Sequence, residues 1–264
     1  MDGIVYLTWW DIAISASLIV LLAVLSWVQR LQLERQILIA AVRTIVQLVL
    51  VGFVLRFVFN EEYVYLILVM AFFMLAVASW EVTARQKRRF IGGWTYGISA
   101  VSLFISSFTV ALFALIVVID NTPWYEAQYA IPLLGMMLGN TMTGVALSLD
   151  RLSSGVWQQR QVIEGRLMLG ETWWEAVADV RRDAVRSGLI PTINAMAAVG
   201  VVSLPGMMTG QILAGVEPIE AVKYQILIMF MVSAGAGFGT VLALKIASKR
   251  MFDDRQRLRL DRLH

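Results

Sequence analysis

Seven apolar runs, each close to the ~20 residues that an α-helix needs to cross a bilayer, set the limits on what this chain can become. They lie at about 11–28, 37–59, 63–82, 97–119, 129–149, 189–214 and 222–246. In hydrocarbon every backbone amide must be paired within the protein, so runs of this kind fold as helices or not at all. The expected fold is therefore all-α: a polytopic membrane protein of about seven transmembrane helices. The chain's 264 residues are 59% hydrophobic and 16% charged, too apolar for an ordinary water-soluble domain. The first run is expected to remain as a true helix and not to act as a cleaved signal, because Asp2 and Asp11 stand at its start, no basic stretch leads it and no small-residue cleavage site follows.

The loops supply an independent test, since Lys and Arg collect on the cytoplasmic side. The segments at 29–36, 83–90 and 150–188 and the tail from Lys249 are basic. The alternating ones, NEE at 60–62, DNTPWYEAQ at 120–128 and AGVEPIEA at 214–221, are acidic and hold no Lys or Arg. The expected topology has the N-terminus outside and the C-terminus in the cytoplasm, in a multi-pass protein of the cell's inner membrane. The net charge of +3 and the basic tail RQRLRLDRLH read as this topology signal together with contact to anionic lipid, and not as nucleic-acid binding.

Inventory removes several chemistries. The chain has no cysteine, and its one histidine, His264, is the last residue, so a histidine- or thiolate-centred site within the membrane is excluded. No H-E-x-x-H, G-x-S-x-G or paired intramembrane carboxylates occur, so no catalytic residues are expected. A G-x-x-x-x-G-K-[ST] loop is also missing; if ATP drives this protein, another polypeptide binds it with its Mg²⁺, and this chain holds no cofactor.

One cytoplasmic segment, 150–188, is long enough to receive such a motor. It reads as two helices broken at Gly170. Thr172 and Glu175 have capping-box spacing. Trp173, Val177, Val180 and Ala184 follow at helical intervals as an apolar stripe, opposite Asp179, Arg182 and Asp183. The hairpin is expected to dock a soluble partner through Glu164, Leu167, Gly170, Trp173, Trp174 and Val177; an amphipathic helix lying on lipid is the structural alternative.

Within the spans, GMMLGNTMTG at 135–144 and GMMTGQILAG at 206–215 repeat one pattern of glycine, methionine pair, glycine, amide and glycine. Glycines four apart let a neighbouring helix approach closely. Pro205 breaks or kinks its helix, so a kink is expected at Leu204–Gly206, set against protein or a cavity and away from lipid. Asn140, Thr143, Pro205, Met207, Met208 and Gln211 are accordingly expected along a translocation pathway. Met207 and Met208 are candidate metal ligands, although thioethers suit soft cations and methionine also fills gaps in apolar packing. Intramembrane charge adds Arg43, with Gln47 one turn on, and Glu81 near the same side; an Arg43–Glu81 pair is the alternative to snorkelling of either group.

The run RSGLIPTINAMAAVGVVSLPGMMTGQILAGVEPIEAVKYQILIMFM at 186–231, together with RTIVQL at 43–48, GNTMTG at 139–144 and the E-x5-G spacing from Glu164 to Gly170, resembles the FetB-like permeases. These are bacterial iron-export ABC permeases similar to the plant aluminium-tolerance permeases, and the resemblance extends from about residue 35 to 247. It implies a homodimer, a separate ABC ATPase and export of iron or another metal; the chain, 1–264, is expected to form a single transmembrane permease domain. The residues alone also permit a seven-helix receptor or sensor without pumping activity.

Overall fold

The computed structural model describes residues 8–60, 63–119 and 123–263. Asp2 at the N-terminus, Glu61 and Glu62 of one acidic loop, 120–122 of another and His264 lie outside the described residues. The chain forms two compact units: one comprises the first 63 residues with 213–215, and the other comprises 64–212 and 216–264.

The first unit holds α1, Trp9–Val28, packed against α2, Glu34–Asn60. Ser26 ties their connection, because its hydroxyl accepts the Leu33 N–H at 3.2 Å and donates to Glu34 Oε2 at 3.4 Å. Arg43 and Gln47 belong to α2.

The second unit is built around α6, Ala127–Gln158, which packs on α3, Val64–Ala84, on α9, Ala178–Ala198, and on α11, Pro218–Arg250. Between α3 and α6 the chain crosses as α4, Trp94–Leu103, a π turn at Phe104–Phe108, α5, Thr109–Phe113, and a second π turn at Ala114–Ile119. The close approaches are made by residues with almost no side chain. A Cβ on Gly239 of α11 would run into Thr141 of α6 and come within 2.8 Å of Ser106 Oγ, so only glycine fits there.

Six helices among the described residues are long and apolar enough to cross a membrane: Trp9–Val28, Glu34–Phe59, Val64–Ala84, Ile91–Ile119, Ala127–Gln158 and Pro218–Arg250. The seventh run, 189–214, is not one helix. α9 begins inside the expected hairpin, passes through Gly188 and Pro191 and stops at Ala198. Residues 199–205 are irregular, and α10, Gly206–Leu213, follows. The interruption is therefore wider than a kink at Leu204–Gly206. Gly200 takes a left-handed φ of 81°, its N–H donates to Ser203 O at 2.9 Å, and Val202 N–H donates to Ala198 O at 2.9 Å. These bonds satisfy the backbone locally. Pro205, which has no N–H to give, stands immediately before α10, where its carbonyl accepts the Thr209 N–H at 3.0 Å and no helical bond is lost.

At the basic end α6 runs on to Gln158 and is followed by α7, Arg160–Met168; the chain then reverses at Gly170, with φ 94°, into α8, Trp173–Ala176. The capping box forms: Thr172 N–H and Oγ1 donate to Glu175 Oε2 at 2.9 and 2.7 Å, and these bonds hold the carboxyl below its ordinary pKa. We expect Thr172→Ala to lower stability by about 1 kcal/mol, as loss of an N-cap hydroxyl does elsewhere, measured as a fall in the thermal unfolding midpoint of the purified chain.

The basic tail is folded against this region. Arg259 N–H donates to Met251 O at 2.8 Å, and Asp253 pairs with Arg257 and Asp261 with Arg259, each at 2.8 Å. The Arg259 guanidinium lowers the Asp261 carboxyl pKa to about 2. Gln256 accepts the Trp173 N–H at 2.9 Å, and Phe252 packs its ring 5.9 Å from that of Trp173. The tail thus clasps the elbow, and several of its charges neutralise one another.

Candidate translocation site

Where α9 gives way, α6, α9, α10 and α11 leave a cavity of about 290 Å³. α6 contributes Met136, Asn140 and Thr143; α9 contributes Pro191, Thr192 and Ala195; Pro205, Gly206 and Met207 come from the interruption and α10; Gln225 and Met229 come from α11. Irregular backbone at membrane depth is tolerated where it borders such a space, and broken helices commonly build the binding sites of transporters.

Every lining residue is uncharged. Asn140 Nδ2 donates to Met136 O at 2.8 Å and Thr143 Oγ1 donates to Gly139 O at 3.0 Å, which commits hydrogen-bond donors to the helix backbone and leaves oxygen acceptors. Gln225 is only 7% exposed, and its Oε1 has no protein partner. A buried amide oxygen of this kind is stabilised by a donor from outside the chain, whether water or ligand. Three thioethers, those of Met136, Met207 and Met229, complete the polarisable lining. No group of three or more His, Cys, Asp or Glu able to hold a metal occurs among the described residues. The wall can accept hydrogen bonds and solvate a soft cation, but it has no carboxylate with which to neutralise a hard one.

Of the residues expected along the pathway, Asn140, Thr143, Pro205 and Met207 meet at this cavity. Met208 and Gln211 do not line it, although Gln211 Oε1 is also buried without a partner. Glu81, in the last turn of α3, lies 3.7 Å from Arg85 just past the helix end, while Arg43 and Gln47 sit in the other unit. Gln225 and Met229 escaped the sequence reading; the available signal was an amide inside the apolar run YQILIMFM.

The elbow is arranged differently from its sequence pattern. Val177, Val180 and Ala184 are buried in the core of the second unit, and Trp173 packs on that core. Leu167 is also packed against it. The apolar surface that points outward is at the reversal, where Met168 is 86% and Leu169 87% exposed beside Gly170, together with Trp174 under the guanidinium of Arg181.

Long apolar helices enclosing a cavity at a broken segment define a polytopic α-helical membrane protein. The chain belongs to the family described as Uncharacterised protein family (UPF0014), whose model matches residues 9–252. It is 40% identical to a UPF0014 membrane protein of Synechocystis, over 97% of this chain and 98% of that one. It is 33% identical to a probable iron export permease protein, FetB, of Escherichia coli, over 94% and 93% of the two chains. It is also 35% identical to the protein ALUMINUM SENSITIVE 3 of Arabidopsis thaliana, over 86% and 81%. No solved structure matches the chain.

Proposed function

We propose that this chain is the permease subunit of an ABC exporter in the inner membrane, moving iron or another metal, with its C-terminus in the cytoplasm. The observation that carries the reading is the uncharged cavity at the interruption of α9, in a chain similar over nearly its whole length to an iron export permease. A homodimer works with a separate ATPase that binds ATP and Mg²⁺ and pushes on the elbow at 150–188. Cargo passes beside Asn140, Thr143, Met207 and Gln225. Since no carboxylate lines the cavity, a hard metal would travel there with its charge offset by ligands that it brings.

The partner ATPase docks on the outward-facing tip, Met168 and Leu169, while Trp173 and Val177 hold the tip in place from within. Exposed apolar side chains at the centre of such a contact carry most of its energy. Changing both to aspartate should reduce co-purification of the co-expressed partner ATPase about ten-fold or more, with the unfolding midpoint unchanged because neither side chain is buried. Undiminished co-purification would remove the elbow from the mechanism, and a chain that never recruits an ATPase would favour a receptor.

A further inference from the structure

A second cavity, of about 410 Å³, lies at the basic end of the second unit, apart from the cavity assigned to cargo and from the Met168–Leu169 tip. It is lined by Lys87 and Arg88, from the connection after α3, and by Ser154, Trp157 and Gln158, from the last turns of α6. Arg88 lies 4.0 Å over the Trp157 ring, and Arg160 approaches the same ring at 5.7 Å. Stacking of this kind fixes a guanidinium in place while leaving its N–H edge available. Among the described residues neither Lys87 nor Arg88 has a carboxylate partner. The nearby carboxylate of Asp150 is engaged on the backbone, accepting the Lys87 N–H at 3.1 Å. Gln86, immediately before, is 5% exposed and keeps its amide nitrogen without a partner.

The pocket therefore offers an ammonium, a guanidinium, a hydroxyl and an amide, with no acid on its wall: it is built for an anion rich in oxygen. Its depth narrows the choice. At 1.5 Å per residue the 32-residue α6 is about 48 Å long, against about 30 Å of hydrocarbon. Its final turns, with Trp157, thus extend past the hydrocarbon on the basic side, toward the headgroups, a zone in which tryptophan concentrates.

We propose that this pocket binds the phosphodiester headgroup of an anionic lipid in the leaflet at the basic end of the bundle. Arg88, held by Trp157, grips the phosphate oxygens, Lys87 adds charge, and Ser154 and Gln158 complete the donor set. The site joins α3 to α6, so lipid binding staples the connection after α3 to the helix that carries the elbow. It does not depend on which cargo crosses, nor on the permease reading.

The test is native mass spectrometry of the full-length chain with equimolar phosphatidylglycerol and phosphatidylcholine. Wild type should retain phosphatidylglycerol preferentially. Lys87→Gln, at an exposed side chain that cannot disturb folding, should lower that retention about five-fold, and adding Arg88→Gln should lower it about as much again. Arg151→Gln with Arg186→Gln removes equal charge elsewhere and should leave retention intact. Undiminished retention in the Lys87 variants, or an equal loss in the control pair, overturns the site. Inorganic phosphate at millimolar concentration should fail to displace the lipid; displacement would assign a soluble phosphate and overturn the lipid assignment. Loss of the ATPase with lipid retention unchanged in Lys87→Gln would mark a protein contact and overturn it as well.

Discussion

Gly188→Ala should destabilise the purified chain by about 2 kcal/mol, although alanine is the better helix former by about 1 kcal/mol. The reason is the crossing of α9 over α6. A Cβ at Gly188 would sit 2.6 Å from Gly144 O and 2.9 Å from Ser148 Cβ, with Thr240 Cγ2 of α11 at 3.2 Å. The first of these is backbone, which cannot rotate away, so two helices must separate. Overpacking a dense core costs about 1–3 kcal/mol. Within a bilayer the loss is felt fully, since helices there associate chiefly through close packing. The same change at Gly165, in α7 with nothing within 4 Å of the added atom, should raise stability by a few tenths to 1 kcal/mol. Thermal unfolding of both variants in detergent checks the pair; a midpoint that rises for Gly188→Ala would show that the helices do not cross at this residue.

Ala195→Trp should abolish transport while leaving folding and ATPase recruitment intact. Ala195 lines the cavity and is exposed to it, so an indole there fills space without displacing packed side chains. Ile193→Trp, two residues earlier on the same helix and 52% exposed, does not line the cavity and should transport normally. The readout is metal efflux from cells or from vesicles holding the permease with its ATPase. Normal efflux in Ala195→Trp would place the cargo route elsewhere, and an equal loss in both variants would mean that the face of α9, and not the cavity, was perturbed.

The two copies of one motif mark the boundary between what sequence and fold each decide. GMMLGNTMTG lies wholly within the continuous α6, whereas GMMTGQILAG starts a short helix at Gly206 and leaves it by Gly215, with φ 92°. Their corresponding methionines, Met136 and Met207, nevertheless line the same cavity. The corresponding amides part company: Asn140 borders it and Gln211 does not. Pattern alone weighted Asn140 and Gln211 equally, because a ten-residue string does not specify which turn of helix faces which neighbour. The apolar stripe of the elbow carried a similar ambiguity. Trp173, Val177, Val180 and Ala184 form a face by spacing, but spacing does not say whether that face meets a partner or the chain's own core, and here it meets the core.

The apolar runs by themselves determined a helical membrane protein, because a bilayer leaves unpaired backbone no alternative and a span must have a minimum length. Glycine and proline likewise marked that the 189–214 run would be interrupted. Only the tertiary structure decided the width of that interruption, carried α9 through Gly188 from elbow to span, folded the basic tail onto Trp173 and brought Gln225 and Met229 to the cavity. Those outcomes depend on close approaches between helices distant in sequence, and such contacts leave no periodic trace along the chain.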